Sequence, residues 1–272
     1  MKKVKNLIKS LNSNKFLWPL VAILGSLKKS IQNKKIQLLW RDIDGDWINI
    51  QKDITLYSPE ISVDTFEEIT QKVNKYFLYT YSPKSGDTII DVGAGIGEDI
   101  VYFSKKIGST GKAIAIEANP NTFRCLKKTV KKNELQNVIC LNVACTSKSE
   151  VVEISGDLGY LSNTLFTNSQ KKESLSVDGK TLDSIIEAQK LGDIDFIKIN
   201  IEGAELDALE GASNVIKSKT SFAVSCHDFK YNEGKGEYFR TFKSVKKIFE
   251  SHGRQVKSKD TQERELAYYL YT

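Results

Sequence analysis

The stretch Asp87-Thr88-Ile89-Ile90-Asp91-Val92-Gly93-Ala94-Gly95-Ile96-Gly97 constrains the fold of this chain more than any other. Its first half is a short β-branched run of the kind that forms a buried parallel strand. Three glycines alternating with small or apolar residues follow, and Ile100, Val101, Phe103 and Ile107 then mark an amphipathic helix. Strand, glycine turn and helix together make a seat for a ligand. Glycines let the backbone turn sharply and approach with no Cβ in the way, and the helix N-terminus offers unpaired N–H groups.

The spacing separates classes of ligand. Dinucleotide sites show Gly-x-Gly-x-x-Gly, whose last glycine brings the helix close to a pyrophosphate. Here the pattern is Gly-x-Gly-x-Gly, with Asp91 two residues ahead of Gly93. It resembles motif I of the S-adenosylmethionine-dependent methyltransferases, whose ligand has no phosphate but carries an ammonium group that an acid near the loop can meet directly or through water. Twenty residues past Gly97, at the end of Lys112-Ala113-Ile114-Ala115-Ile116, comes Glu117. It is placed to take both ribose hydroxyls.

From the glycine loop onward, strand and helix patterns alternate. Strands are expected at 113–117, 138–142, 196–201 and 222–225, and helices at 121–133, 203–217 and 239–251. Residues 147–180 read as a hairpin insertion, Thr181 caps a short helix with Asp183 in its first turn, and 254–257 pairs antiparallel with 266–271. Alternation of this kind demands right-handed crossovers and a sheet covered on both faces. The expected fold is α/β, a doubly wound, Rossmann-like and mostly parallel seven-stranded sheet with an antiparallel last strand. Ligands of such sheets bind at the carboxyl ends of the strands.

Pro83-Lys84-Ser85-Gly86 marks the boundary between this domain, 84–272, and an N-terminal extension and cap, 1–83. In the extension, 38–57 has the alternation of a small β-structure turning at Asp44-Gly45-Asp46, and Phe66, Ile69, Val73, Phe77 and Leu78 form a helical stripe. That unit either closes over the ligand or simply packs on the core. Residues 1–15 are basic and 16–25 apolar, too short a run to span a bilayer. A helix at about 5–31 either docks on the core or touches a membrane through its lysines and Trp18. Lys28, Lys29, Lys34 and Lys35 stand where an export signal would have its cleavage site, so the expected location is the cytoplasm, with or without peripheral contact at the inner face of the membrane.

Composition narrows the partners. The +6 net charge comes from lysines scattered along the chain, and only five arginines are present, so no nucleic-acid footprint is expected. Cys125, Cys140, Cys145 and Cys226 lack Cys-x-x-Cys spacing and mostly sit in apolar segments, which reads as free thiols with neither disulfide framework nor zinc site.

With Gly93-Ala94-Gly95-Ile96-Gly97, Glu117-Ala118-Asn119-Pro120, Thr181-Leu182-Asp183, Lys198-Ile199-Asn200-Ile201-Glu202-Gly203-Ala204-Glu205 and Cys226-His227 assembled, the chain resembles the FkbM family of S-adenosylmethionine-dependent methyltransferases over about residues 86–228. The resemblance implies a class I methyltransferase fold and methylation of hydroxyl groups, on sugars of glycans and glycolipids or on natural products. Asp91, Gly93, Ala94, Gly95 and Gly97 would hold the methionine end of the cofactor, Glu117 with Ala118 and Asn119 the ribose, and Asn142, Val143 and Ala144 the adenine edge. The family usually has Asp where Asn200 stands and an aromatic where Cys226 stands. An amide carries no charge to hold a cation, so no metal is expected.

Three residues are candidates for the acceptor side. His227 follows the fifth strand and is the expected general base, because histidine alone has an unperturbed pKa near neutrality. The other histidine, His252, falls at a helix end beside Gly253. Glu202 would orient the acceptor or the His227 ring, with Asn200 beside it. Capping and dipole complementation explain Asn200 and Glu202 equally well, and His227 reads also as a hydrogen-bonded strand-end residue. Lys198, inside a buried strand, either snorkels or pairs with Asp91 on the neighbouring strand. A nicotinamide dehydrogenase fails on glycine spacing, and Asn200-Ile201-Glu202-Gly203 lacks the Asn/Asp-Pro-Pro-aromatic of nucleobase amino-methyltransferases. A cofactor-binding but inactive membrane-associated relative remains, supported by Asn200; turnover separates it from an enzyme.

Overall fold

The computed structural model describes residues 18–33, 37–61, 64–155, 174–259 and 268–272. The N-terminal part comprises helix α1 (Trp18–Asn33), an antiparallel sheet of β1 (Leu38–Arg41), β2 (Trp47–Ile50) and β3 (Thr55–Ser58), and helix α2 (Phe66–Tyr76). Asp42 to Gly45 make the β1–β2 turn, where the Asp46 amide donates to the Asp42 carboxylate at 2.8 Å. Thr65 and Glu68 form a reciprocal capping box at the start of α2. The expectation for residues 1–17 lies outside the described residues.

The large sheet begins with β4 (Thr88–Val92), the strand read from the sequence, followed by helix α3 (Glu98–Ile107). Then come β5 (Lys112–Ile116), α4 (Pro120–Lys132), β6 (Val138–Leu141) and a short β7 (Ala144–Cys145). The insertion is a hairpin of β8 (Glu150–Ser155) and β9 (Ser174–Lys180) joined to β7, and its middle, 156–173, lies outside the described residues. Next are α5 (Leu182–Ala188), β10 (Phe196–Ile199), α6 (Glu205–Glu210), α7 (Ser213–Lys217), β11 (Ser221–Ser225) and α8 (Asp228–Asn232). The chain ends with α9 (Phe242–Ser251), β12 (Lys257–Ser258) and β13 (Tyr269–Tyr271). The seven-stranded sheet runs β12-β13-β11-β10-β4-β5-β6, parallel from β11 to β6, with β13 antiparallel to its neighbours.

Side chains alternate between two cores. Ile90, Val92, Ile197 and Ile199 join one cluster, and Ile89, Ala113 and Phe196 the other, together with Val73 of α2 and Phe103 of α3. The N-terminal sheet docks by hydrogen bonds as well. Edge strand β3 gives its Thr55 and Tyr57 amides to the side chains of Asn133 and Thr129, on and just beyond α4. Arg124 and Lys128 of the same helix reach the Asp42–Asp46 turn.

Two elements depart from the sequence reading. The helix expected over 203–217 is broken at Gly211-Ala212 into α6 and α7. A Cβ on Gly211 would lie 2.2 Å from the Thr146 carbonyl oxygen, and the Asp183 carboxylate accepts from the Asn214 and Val215 amides to start the second helix. Residues 228–232, which carry no helical apolar periodicity in the sequence, form the short helix α8.

Candidate active site

A pocket opens over the carboxyl ends of β4, β5 and β10. Its walls include Gly93, Ala94 and Gly95 from the glycine loop, Glu117 and Ala118 after β5, Val143, Ala144 and Cys145 after β6, and Lys198, Asn200 and Glu202 around the end of β10. Glu98 and Asp99 from α3 and Ile154 of β8 also line it. No described residue of the N-terminal unit is among them.

The glycines have separate tasks. At Gly93 the backbone has φ +80°, and a Cβ would lie 2.2 Å from the Asn200 carbonyl oxygen, so loop and β10 can touch only through glycine. Gly95 has φ +57°, and a Cβ there would meet nothing within 4 Å. No protein atom demands the missing side chain at Gly95; the space it leaves is pocket. Gly97 is different again. A Cβ on it would approach Leu126 of α4 to 2.9 Å, so it brings two helices together and does not wall the pocket.

Glu117 is buried and its two oxygens accept from the amides of Gly95 (3.0 Å) and Asn119 (2.8 Å). Burial pushes its pKa up to about 7 against the pull of those two amides. Asn142 donates to the carbonyls of Glu117 and Ala118 at 2.8 and 2.9 Å, and the Asn119 side chain caps α4. Both therefore hold the loop that carries Glu117 and are absent from the pocket wall.

Asp91 and Lys198 sit opposite each other in the β4–β10 register and pair at 2.7 Å. Lys198 also reaches Asp99 at 3.0 Å. Burial pushes Asp91 up to about 6, opposed by the lysine. For Lys198 burial acts downward, but Asp91 and Asp99 outweigh it and raise the ammonium above its ordinary value. Asp91 is fully buried and does not line the pocket; one of its oxygens has no hydrogen-bond partner. The pocket instead sees Lys198 and Asp99. Asp99 went unnoticed in the sequence, where an acid in the first turn of a helix reads as dipole complementation.

At the acceptor end, Glu202 adopts φ +57°, a left-handed conformation that a non-glycine residue holds only when its surroundings impose it. It accepts from Lys230, and its other oxygen faces His227 Nε2 at 3.5 Å. His227 Nδ1 meets Glu205 at 2.8 Å. Glu205 in turn accepts from the Gly203 amide and the Thr241 hydroxyl. Burial pushes His227 down, but the two carboxylates prevail and bring its pKa up to about 9. Glu202 is held below the ordinary glutamate range: burial raises it, and His227 and Lys230 more than compensate.

His227 follows β11, as expected from the sequence, but its surroundings do not suit a base. It is 3% exposed, lies outside the pocket wall, and is an imidazolium at neutral pH with both nitrogens engaged. The polar residues after β10 that face the pocket are Asn200 and Glu202. The role of Glu205 comes from partners distant in sequence, His227 and Thr241, which sequence spacing does not reveal.

Sheet order, glycine loop and the pocket at the strand ends define a class I S-adenosylmethionine-dependent methyltransferase. The sequence profile of the methyltransferase FkbM domain matches residues 91–256, more than half of the chain, and the chain belongs to that family. Among curated proteins, hexuronic acid methyltransferase AglP of Haloferax volcanii is 25% identical over 201 residues, covering 67% of this chain and 80% of that protein. Among solved structures, the FkbM methyltransferase of Methylobacillus flagellatus superposes with a TM-score of 0.50 at 19% identity, covering 76% of this chain. The chain spans 50% of that structure's length.

Proposed function

We propose that this pocket binds S-adenosylmethionine and that the chain methylates a hydroxyl group of a sugar, with hexuronic acids as the first acceptor class to test. The observation that carries the reading is the two-ended pocket. One end offers the open space at Gly95, the Glu117 carboxylate and the apolar wall of Val143 and Ala144; the other offers Asn200 and Glu202. The sugar comes from the hexuronic acid methyltransferase whose sequence this chain resembles.

The residues present suit the cofactor. Ionised Glu117 would accept from ribose hydroxyls, and Val143 and Ala144 would flank the adenine. Lys198 and Asp99 offer opposite charges to a carboxylate and an ammonium. Asp91 acts one step behind, by holding Lys198. When bound, the cofactor supplies a methyl group made electrophilic by its positively charged sulfur.

The chain's own residues must then align the acceptor oxygen and remove its proton. Glu202 is the group in place, ionised at neutral pH because Lys230 and His227 hold it so. A carboxylate is a weak base toward a free alcohol. It suffices once the oxygen is forming its bond to carbon and the hydroxyl proton becomes strongly acidic, at which point that proton passes to a Glu202 oxygen. Asn200 supplies an amide to orient the same hydroxyl. His227, charged and fixed by Glu205, positions Glu202.

The test is incubation of the purified protein with isotope-labelled S-adenosylmethionine and a panel of uronic acid and neutral hexose glycosides, read by mass spectrometry. The reading expects label on a sugar oxygen, strongest on uronic acids. Binding of the cofactor with no label on any sugar of the panel would refute the acceptor class.

A further inference from the structure

Helix α1 is seated the wrong way round for an ordinary surface helix. Its small residues face β1. Ala22 is buried, a Cβ on Gly25 would meet Leu39 at 2.9 Å, and the Ser26 and Ser30 hydroxyls accept from the Leu39 and Gln37 amides at 2.8 and 3.0 Å. Trp18 at its start lies under the Arg41 guanidinium of β1 at 3.6 Å, and the large aliphatic residues face outward. Leu20, Ile23, Leu24 and Leu27 are 54, 54, 57 and 56% exposed, and Ile31 is 77% exposed. They follow one another at helical spacing, so they form a single stripe. Leu38 and Trp40, alternate residues of adjoining β1, are also more than half exposed, at 51 and 52%.

A surface helix normally turns such a stripe to the core. Here the small, polar face is spent on docking and the apolar face is left without a partner among the described residues, well beyond the scattered apolar exposure usual on a surface. The sequence around it has one sign of charge. Residues 1–35 contain nine lysines and no acidic residue, and the first acid of the chain is Asp42.

We infer that α1, with Leu38 and Trp40, is a docking face for an anionic lipid surface, lying in the plane of the interface. The charge selects this occupant. The segment that contains α1 carries nine lysines and no acid in its sequence, so a second copy would double that charge, whereas anionic headgroups neutralise it. The described helices include none long and apolar enough to cross a membrane, and a stripe on one side of a helix suits a peripheral contact. The inference is independent of the acceptor proposed above.

The test uses the full-length protein in co-sedimentation with vesicles of phosphatidylcholine, with and without phosphatidylglycerol. Binding is expected only where phosphatidylglycerol is present, and it should weaken from about 0.1 M to about 1 M salt as the screening length shortens from about 10 Å to about 3 Å. The double substitution Ile23→Asp with Leu27→Asp should reduce partitioning by at least about a hundredfold, roughly tenfold per apolar side chain. Both positions point away from the protein, so thermal stability and cofactor binding should be unchanged, which separates loss of the face from loss of the fold. Equal partitioning of the variant, or equal binding to phosphatidylcholine alone, would overturn the inference. So would a wild-type dimer in sedimentation velocity that the double substitution dissociates, with no vesicle binding; that outcome would assign the face to a second copy.

Discussion

Replacing Lys198 by methionine isolates the electrostatic centre of the sheet. Lys198 is 2% exposed and Asp91 fully buried, and their 2.7 Å contact joins the two middle strands. Methionine keeps much of the side chain's volume but leaves Asp91 an uncompensated buried charge, with Asp99 nearby. Removing one member of such a pair costs ~3–5 kcal/mol. The linkage has a definite sign. Asp91 already titrates at about 6, above its ordinary value, because burial disfavours its charge; without the lysine its pKa rises further. The folded variant then binds a proton that the unfolded chain releases, so its stability falls as pH rises through that range and recovers as pH falls. Urea denaturation at pH 8 and pH 5 should show a full penalty at the first and a much smaller one at the second. Adding Asp91→Asn should restore most of the loss at pH 8. A penalty below about 1 kcal/mol at pH 8, or one that does not shrink at pH 5, would refute the claim that Lys198 exists to hold the Asp91 charge.

The acceptor end yields two further expectations. Glu202→Gln should lower turnover by ~10²–10⁴-fold while leaving cofactor affinity nearly unchanged, read by steady-state kinetics on an accepted sugar; turnover within a few-fold of wild type would remove Glu202 as the proton acceptor. His227→Gln should cost no more than about tenfold in turnover and leave the pH–rate profile in place, because His227 is already charged and only positions Glu202; a loss of ~10²–10⁴-fold with a lost pH inflection would return the base role to His227.

How much of this was legible beforehand follows from range of interaction. The strand at Thr88–Val92, a mostly parallel seven-stranded sheet with an antiparallel last strand, and Asp91 as the candidate partner of Lys198 all rest on periodicity and on which strands a doubly wound sheet makes adjacent. What failed depends on contacts between distant segments. The break at Gly211 is set by Thr146 and Asp183, neither near it in sequence. The charge state of His227 is set by Glu205 and Glu202, carboxylates after β10 that only the folded β10–β11 neighbourhood brings to the ring. Asn119, Asn142 and Gly97 lie in the right loops, but their side chains or missing side chains serve capping and packing, a distinction that spacing alone does not contain. The outward stripe of α1 is the reverse case: the sequence showed an apolar run beside lysines, and only docking through Ala22, Gly25, Ser26 and Ser30 decides which face is left over.

The most direct measurement is calorimetric titration of S-adenosylmethionine into the protein at pH 6 and pH 8. Unliganded Glu117 titrates at about 7, so it is ionised in about one molecule in eleven at pH 6 and about ten in eleven at pH 8. Ribose hydroxyls donate to the ionised form, so binding should release a proton and tighten about tenfold between the two. Glu117→Ala should lower affinity by about 1.5–3 kcal/mol and flatten that dependence. Affinity that is the same at both pH values and unaffected by Glu117→Ala would contradict the assignment of this pocket as the cofactor site.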